Sequence, residues 1–427
     1  ETSAKAVRLT GKDARKPLER RPLASNEKRL KMLPAESFGA IKKYKEKDMT
    51  DFSTFDLKKI YQERRNKIAA FLQENELGAA VFVDSEAHRE PSLRYLCGHP
   101  SDAVLIIFEN GSAVLMPWDE LLAKKLAFCD KIIPYTRYQN SSIDAVQANL
   151  NAATVKNRKV EISPATAYPA FLRFVDALPG WDVKCRENGV HQYAVRLRMI
   201  KDEYEIACTK EAARIGDKII DIIEEKIRDG SIQTETDVAL LIEKECRAHG
   251  CERTGFDTLA AGPSRSWAIH CFPNYTDAAW PADGLSILDF GVVVNGYTSD
   301  TTVTVVKNAN EQQDKLVNLV QCAADECLNL YKKDIPVRNA NEKAQRIFAA
   351  AKRNMPHTLG HGVGLEIHEY PRVSSKMDAE VTFLPGMIVT LEPGLYDEKL
   401  GGCRLENDIL ITETGNEVIS HARIIRL

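Results

Sequence analysis

From Phe55 onward the apolar positions change period several times, and each change marks an element. "FDLKKIYQERRNKIAAFLQENELG" repeats apolar residues at three- and four-residue spacing and predicts an amphipathic helix. The runs "AAVFVD", "AVLIIFENGSAVLMP" and "KIIPY" have strand length, and the middle one predicts a hairpin turned by Asn110 and Gly111. These elements make an α/β region that ends near residue 190. The second half repeats one plan twice: helix, short link, helix, then strands. The two copies run from "EIACTKEAARIGD" to "ECRAHG" and from "EQQDKLVNLVQ" to "FAAAKRN". In each, the second helix opens on a capping-box pattern, "TETD" at Thr234 and "NANE" at Asn339. Two helix pairs, each feeding a group of strands, predict a pseudo-twofold domain with helices outside and a curved sheet within.

The strands of that domain carry acids in apolar surroundings. In "LSILDFGVVVNGYTSDTTVTVV" the Asn295-Gly296 pair predicts a two-residue turn. Val294 then pairs with Tyr297, and counting outward sets Asp289 opposite Thr302 and Gly291 opposite Asp300. Asp300 shares the face of Asp289 as its diagonal neighbour, roughly 7 to 8 Å away. Like charges buried together need a cation between them or a proton on one. Glu392, ending a strand in "GMIVTLEPGLY", and Glu406, read as a strand residue beside Arg404 and Asp408 in "GGCRLENDILITE", repeat the pattern. Each alone reads as a salt-bridged or strand-end acid.

"PHTLGHGVGLEIHEYP", residues 356 to 371, holds three of the nine histidines. A zinc-type His357-x-x-x-His361 turn is opposed by Pro356 and the glycines, and no glutamate follows His357. The alternating "GVGLEIHE" predicts one extended segment whose glycines admit a close backbone or ligand. Four carboxylates and one histidine suit two divalent cations about 3.5 to 4 Å apart, with Mn, Co or Zn fitting this oxygen and imidazole set.

Bulk properties narrow the classes further. A length of 427 residues allows two domains, and a net charge of -3 gives no reason to expect nucleic acid or an anionic membrane. No apolar run reaches the roughly 18 residues that span a bilayer. Ten scattered cysteines without a C-x-x-C pair read as free thiols in a reducing, cytoplasmic compartment. The start at "ETSAKAV" leaves a processed leader open. Residues 1–50, rich in Lys and Arg interrupted by acids, read as a surface arm.

The order and spacing of "LDFGVVVNGYTSDTT", "HTLGHGVGLEIHEYP", "TLEPGLY" and "RLEND" resemble the pita-bread metallopeptidases, in the aminopeptidase P and prolidase branch. The resemblance covers residues 55 to 427. It implies an α/β (α+β) chain with a creatinase-like N-terminal domain over 51–190 and a pita-bread catalytic domain over 191–427. It implies Asp289, Asp300, His361, Glu392 and Glu406 as ligands of two metals, most simply Mn, with Asp300 and Glu406 bridging. It gives Glu392 the catalytic proton, His270 and His368 contacts to substrate, and Arg404 a place either orienting an acid or binding substrate. His357 resembles a proton-relay histidine, with a plain strand-end histidine as the alternative. The implied reaction is hydrolysis of the bond between an N-terminal residue and proline, by a homodimer acting on dipeptides or longer peptides. A non-peptidase hydrolase or lyase on the same scaffold, or a non-catalytic binding protein, is the rival reading, and a lost ligand would favour it.

Overall fold

A computed structural model describes residues 50–427; the N-terminal arm otherwise lies outside the described residues. The first α/β region forms as its periodicity predicts. Strands β1 (Ala79–Asp84), β2 (Ala103–Phe108), β3 (Ala113–Pro117), β4 (Lys131–Ile132), β5 (Lys159–Ile162) and β6 (Asp182–Lys184) make one sheet in the order β4-β3-β2-β1-β5-β6. β2 and β3 are the expected hairpin, with Gly111 at a positive φ of 81°. Both faces are covered, one by helix α1 (Leu57–Glu74) with α2 (Pro91–Cys97) and Ala123 of α3 (Glu120–Leu126), the other by α4 (Ser142–Asn151) with α5 (Tyr168–Ala177). This explains the near-continuous burial of β1 to β3, since strands covered on both sides have no face for polar residues.

Helix α6 (Val190–Leu197) leads to α7 (Glu203–Arg228), whose start is fixed by an Asp202–Glu205 capping box. The repeated plan follows. α7 and α8 (Glu235–Ala248) precede β7 (Arg253–Thr254), β8 (Leu259–Ala261), β9 (Gly284–Phe290), β10 (Val292–Val294), β11 (Tyr297–Thr298) and β12 (Thr301–Lys307). α9 (Glu311–Leu328) and α10 (Val337–Ala350) precede β13 (Gly360–Gly362), β14 (Glu369–Val373), β15 (Ile388–Leu391), β16 (Gly394–Asp397), β17 (Gly401–Arg404), β18 (Asn407–Ile411), β19 (Asn416–Val418) and β20 (Ile424–Arg426). The two main sheets run β20-β12-β9-β8 and β14-β13-β15-β18-β19. On β9 and β12, Leu288, Phe290, Val303 and Val305 pack with Ile219 and Ile223 of α7. The intervening positions, Ile287, Asp289, Thr302 and Thr304, therefore project from the other face. Each fully buried isoleucine contributes roughly 1.5–3 kcal/mol, so the apolar side of this sheet carries the stability and the other side is left for chemistry.

Three local expectations need correction. "TETD" is a capping box at Thr234, but "NANE" is not one: α10 starts at Val337 with Pro336 at its N-cap and no side-chain cap bond, and Asn339 already lies inside the helix. "GVGLEIHE" is not one extended segment, because the chain reverses after Gly362 so that β13 pairs antiparallel with β14. Glu406 lies in the break between β17 and β18, joined to β12 by a single bridge to Thr302. Among the described residues no helix is long and apolar enough to cross a membrane.

Candidate metal centre

The Asn295-Gly296 turn produces the predicted register. Asn295 and Gly296 have φ of 50° and 91°, as a two-residue turn with both centres left-handed requires. Val294 faces Tyr297 and Asp289 faces Thr302. Gly291 has no room for a side chain, since a Cβ there would meet the carbonyl of Ser299.

Asp289, Asp300, His357, His361, Glu392, Glu406, Arg404, His270 and His368 all line one cavity of about 340 Å³. Ligand atoms of Asp300, His361 and Glu406 lie within 4.8 Å of one another, and all three residues are buried. His361 Nε2 is 3.5 Å from Asp300 Oδ2 and 3.6 Å from Glu392 Oε1. Its Nδ1 lies 3.0 Å from the carbonyl of Gly362. A carbonyl only accepts, so the ring proton is assigned to Nδ1 and Nε2 presents a lone pair to the two carboxylates. Burial, opposed by that hydrogen bond, lowers His361 to about 4 and keeps the ring neutral. A lone pair facing two carboxylates calls for a cation between them.

The acids agree. Burial raises Asp300 and Glu406 well above the carboxylate range; the charges of Glu406 and Asp289 add for Asp300, and those of Glu392 and Asp289 for Glu406. Burial also lifts Glu392 to about 8, against the pull of Arg404. Asp289 Oδ1 is buried without a hydrogen-bond partner. The residues present therefore fit divalent cations by donor type, neutrality of the imidazole and unsatisfied oxygens.

A second layer holds the acids in place. Arg404 donates to Asp289 Oδ2 at 2.6 Å, to the Thr302 hydroxyl at 3.0 Å, to the Tyr396 hydroxyl at 2.8 Å and to the Ile269 carbonyl at 3.1 Å. Thr302 in turn donates to Glu406 Oε2 at 2.6 Å, and Asp408 Oδ2 accepts the Asp300 backbone N–H at 3.0 Å. His357 gives its Nδ1 proton to the Thr358 carbonyl and receives the Tyr396 hydroxyl at Nε2, 3.1 Å away. A continuous chain thus runs from His357 through Tyr396 and Arg404 to Asp289. His368 is exposed, its ring 4.4 Å from that of His361, and His270 stands on the exposed loop after β8.

Sequence reasoning missed Tyr396, Thr302 and Arg372. Arg372 lines the cavity on β14, where burial alternates so that Tyr370 and Arg372 face outward. That alternation, readable in "EYPRV", was the available signal.

Four carboxylates and one neutral imidazole, gathered on antiparallel strands and at their ends and breaks, make a candidate divalent-metal centre. Residues 207–413 match the model of metallopeptidase family M24. The chain is 35% identical over 364 residues to the Xaa-Pro dipeptidase of Pyrococcus horikoshii, covering 84% of this chain and 97% of that one. An uncharacterised peptidase of Methanocaldococcus jannaschii is 34% identical over 230 residues, 53% of this chain and 65% of the relative's length. Among solved structures, the prolidase of P. horikoshii superposes with a TM-score of 0.73 at 27% identity, covering 85% of this chain and 99% of that one. The Xaa-Pro dipeptidase of Bacillus anthracis gives 0.74 at 25% identity, covering 86% and 100%. This chain belongs to metallopeptidase family M24, and divalent-metal use follows from that membership.

Proposed function

We propose that the protein is a two-metal Xaa-Pro peptidase, with the dipeptide as its preferred substrate. The observation that carries this reading is the convergence of Asp289, Asp300, His361, Glu392 and Glu406 around a neutral imidazole lone pair. Those five residues would hold the cations. A divalent pair supplies, when bound, the lowered water pKa that metal hydrolases use to make a nucleophile at neutral pH.

The chain's own residues do the rest. Glu392 takes the proton of the attacking water and passes it to the proline nitrogen as the bond breaks. His368 and His270 donate to the carbonyl oxygen as charge develops there. Phe256, Leu259, Ile269 and Ile367 line the cavity and fit a proline ring, which has no N–H to recognise. Arg404 spends its donors on protein groups, which supports a role in orienting Asp289 and not in holding substrate. Through Tyr396 the same guanidinium orients His357, whose ring is kept neutral as burial lowers it to about 4. Arg372 supplies the exposed cation for the carboxylate of a C-terminal proline, and this favours dipeptides over longer chains.

Finer parts of the reading are manganese as the resident ion, a homodimer, and a cytoplasmic site supported by ten free cysteines. The division into 1–50, 51–190 and 191–427 belongs here too, supported by a six-stranded sheet confined to residues 79–184. The test is a product assay on Ala-Pro beside Ala-Pro-Ala with added Mn. Release of alanine chiefly from Ala-Pro, with a raised KM for Ala-Pro in Arg372→Ala, is the expected result. Hydrolysis of neither peptide by the metal-loaded protein would overturn the reading.

A further inference from the structure

Away from the acid cluster, one group of buried charges lies beside the turn between β13 and β14. Glu369 is buried, and its Oε1 accepts from Arg198 Nη2 at 2.6 Å and Nε at 3.2 Å. The same oxygen accepts the backbone N–H groups of Leu365 at 3.0 Å and Glu366 at 3.3 Å. Its Oε2 receives Lys201 Nζ at 3.1 Å. Arg198 and Lys201 are themselves 2% and 4% exposed, so solvent does not stand in for any partner. Burial pushes the Glu369 carboxyl up, but Arg198 and Lys201 outweigh it and hold the group at about 2.

These cations sit at the junction of α6 and α7, about 170 residues away in sequence. Arg198 also reaches Ser92 Oγ on α2 at 3.4 Å, so one guanidinium touches both the first α/β region and the turn. Gly364 is packed against the carboxylate: a Cβ there would sit 2.6 Å from Glu369 Oε2. Arg198 Nη2 also pairs with Glu366 Oε2 at 2.5 Å on the turn's exposed side, while the turn's two N–H groups and its glycine close on the buried carboxylate of Glu369.

We propose that Glu369 is a positioning residue: clamped by Arg198 and Lys201, it folds the 363–368 turn and so sets where His368 stands over His361. The inference rests on the reading of His368 as a substrate contact. Burying one acid with two cations is a poor way to gain stability, because apolar replacements of such groups are often neutral or stabilising. Directional bonds to two backbone N–H groups give one turn conformation instead, and a small misplacement of a group that meets substrate costs rate steeply. The first α/β region thereby acts on the site through Arg198 without contributing a residue to it.

The test compares the parent protein with Glu369→Gln, Glu369→Asp and Gly364→Ala, all full length and loaded with Mn. Metal content, amide exchange over residues 363–370 and kcat and KM on Ala-Pro are read together. Glu369→Gln is expected to keep the parent's metal content, to exchange faster at Leu365 and Glu366 while the β9–β12 strands stay protected, and to lose roughly 10- to 100-fold in kcat/KM. Glu369→Asp, which keeps the charge, should recover part of that loss. Gly364→Ala displaces the carboxylate without altering any charge and should give the same pattern, which keeps the test open should Glu369→Gln not fold. Unchanged exchange over 363–370, or metal lost in proportion to activity, would overturn the proposal. Should the parent cleave no Xaa-Pro peptide, the functional reading falls alone, and the exchange data still decide whether Glu369 sets the turn.

Discussion

Removing the metals should reverse the usual pH dependence of stability. Glu392 rises from an ordinary 4.5 to about 8 through burial, against Arg404, and burial with the neighbouring carboxylates raises Asp300 and Glu406 as well. Between these folded values and the unfolded ones near 4, the native metal-free protein binds more protons than the unfolded chain. Stability therefore falls as pH rises through that window, at about 1.4 kcal/mol per pH unit for each extra proton held. From pH 5.5 to 7.5, Glu392 alone accounts for roughly 2–3 kcal/mol, or about 5 °C in Tm at about 2 °C per kcal/mol. Asp408 and Glu205, lifted by burial to about 8 and about 7, push the same way, but neither belongs to the proposed ligand set. The readout is thus the gap in Tm between Mn-loaded and EDTA-treated protein, measured by calorimetry at several pH values. It should widen by about 5 °C or more between pH 5.5 and 7.5. A gap that stays constant or narrows would refute the argument that these carboxylates are buried against one another.

Asp300→Asn should lose metal and activity together, while Asp283→Asn should keep both, since Asp283 is exposed outside the cavity and accepts a hydrogen bond from the Asn308 side chain; metal analysis beside an Ala-Pro assay decides it. His368→Ala should keep its metal and lose roughly a hundredfold in kcat, as expected when a donor to developing charge is removed. One residue inserted between Asn295 and Gly296 should abolish metal binding with every ligand intact, because the slip turns one strand's side chains over. Tyr396→Phe breaks the link between Arg404 and His357 and should lower kcat more than it raises KM.

The hairpin was legible because its information is local. A turn dipeptide fixes register, register fixes faces, and so Asp289 and Thr302 could be paired by counting. Helix starts were legible where a polar cap does the work, as at Thr234, and misread at Asn339 because the helix already starts at Val337 without a side-chain cap bond. The turn after Gly362 was not legible at all. Its alternating pattern is compatible with a strand, and the carboxylate that bends it is held by cations from another part of the chain. Arg404 could be placed near the acids, but which of its five donors meets which oxygen depends on Thr302 and Tyr396 arriving from different strands.

The imidazoles beside this acidic cluster contribute no positive charge to it. His357 and His361 both give their Nδ1 proton to a backbone carbonyl, and burial keeps both rings neutral near pH 7. Neither ring can then act as a counter-ion to Glu392, although both stand within 4 Å of it. Arg404 neutralises one carboxylate of the four, and its hydrogen bonds tie it to Asp289. On the proposed reading, two divalent cations bring four positive charges to the remaining three. That slight excess favours binding of an anion in the cavity, and a deprotonated water is the smallest that suits the chemistry. A protonated His357 or His361 would remove that bias by repelling the cations, so the carbonyls that fix the Nδ1 protons belong to the design of the site as much as the ligands do.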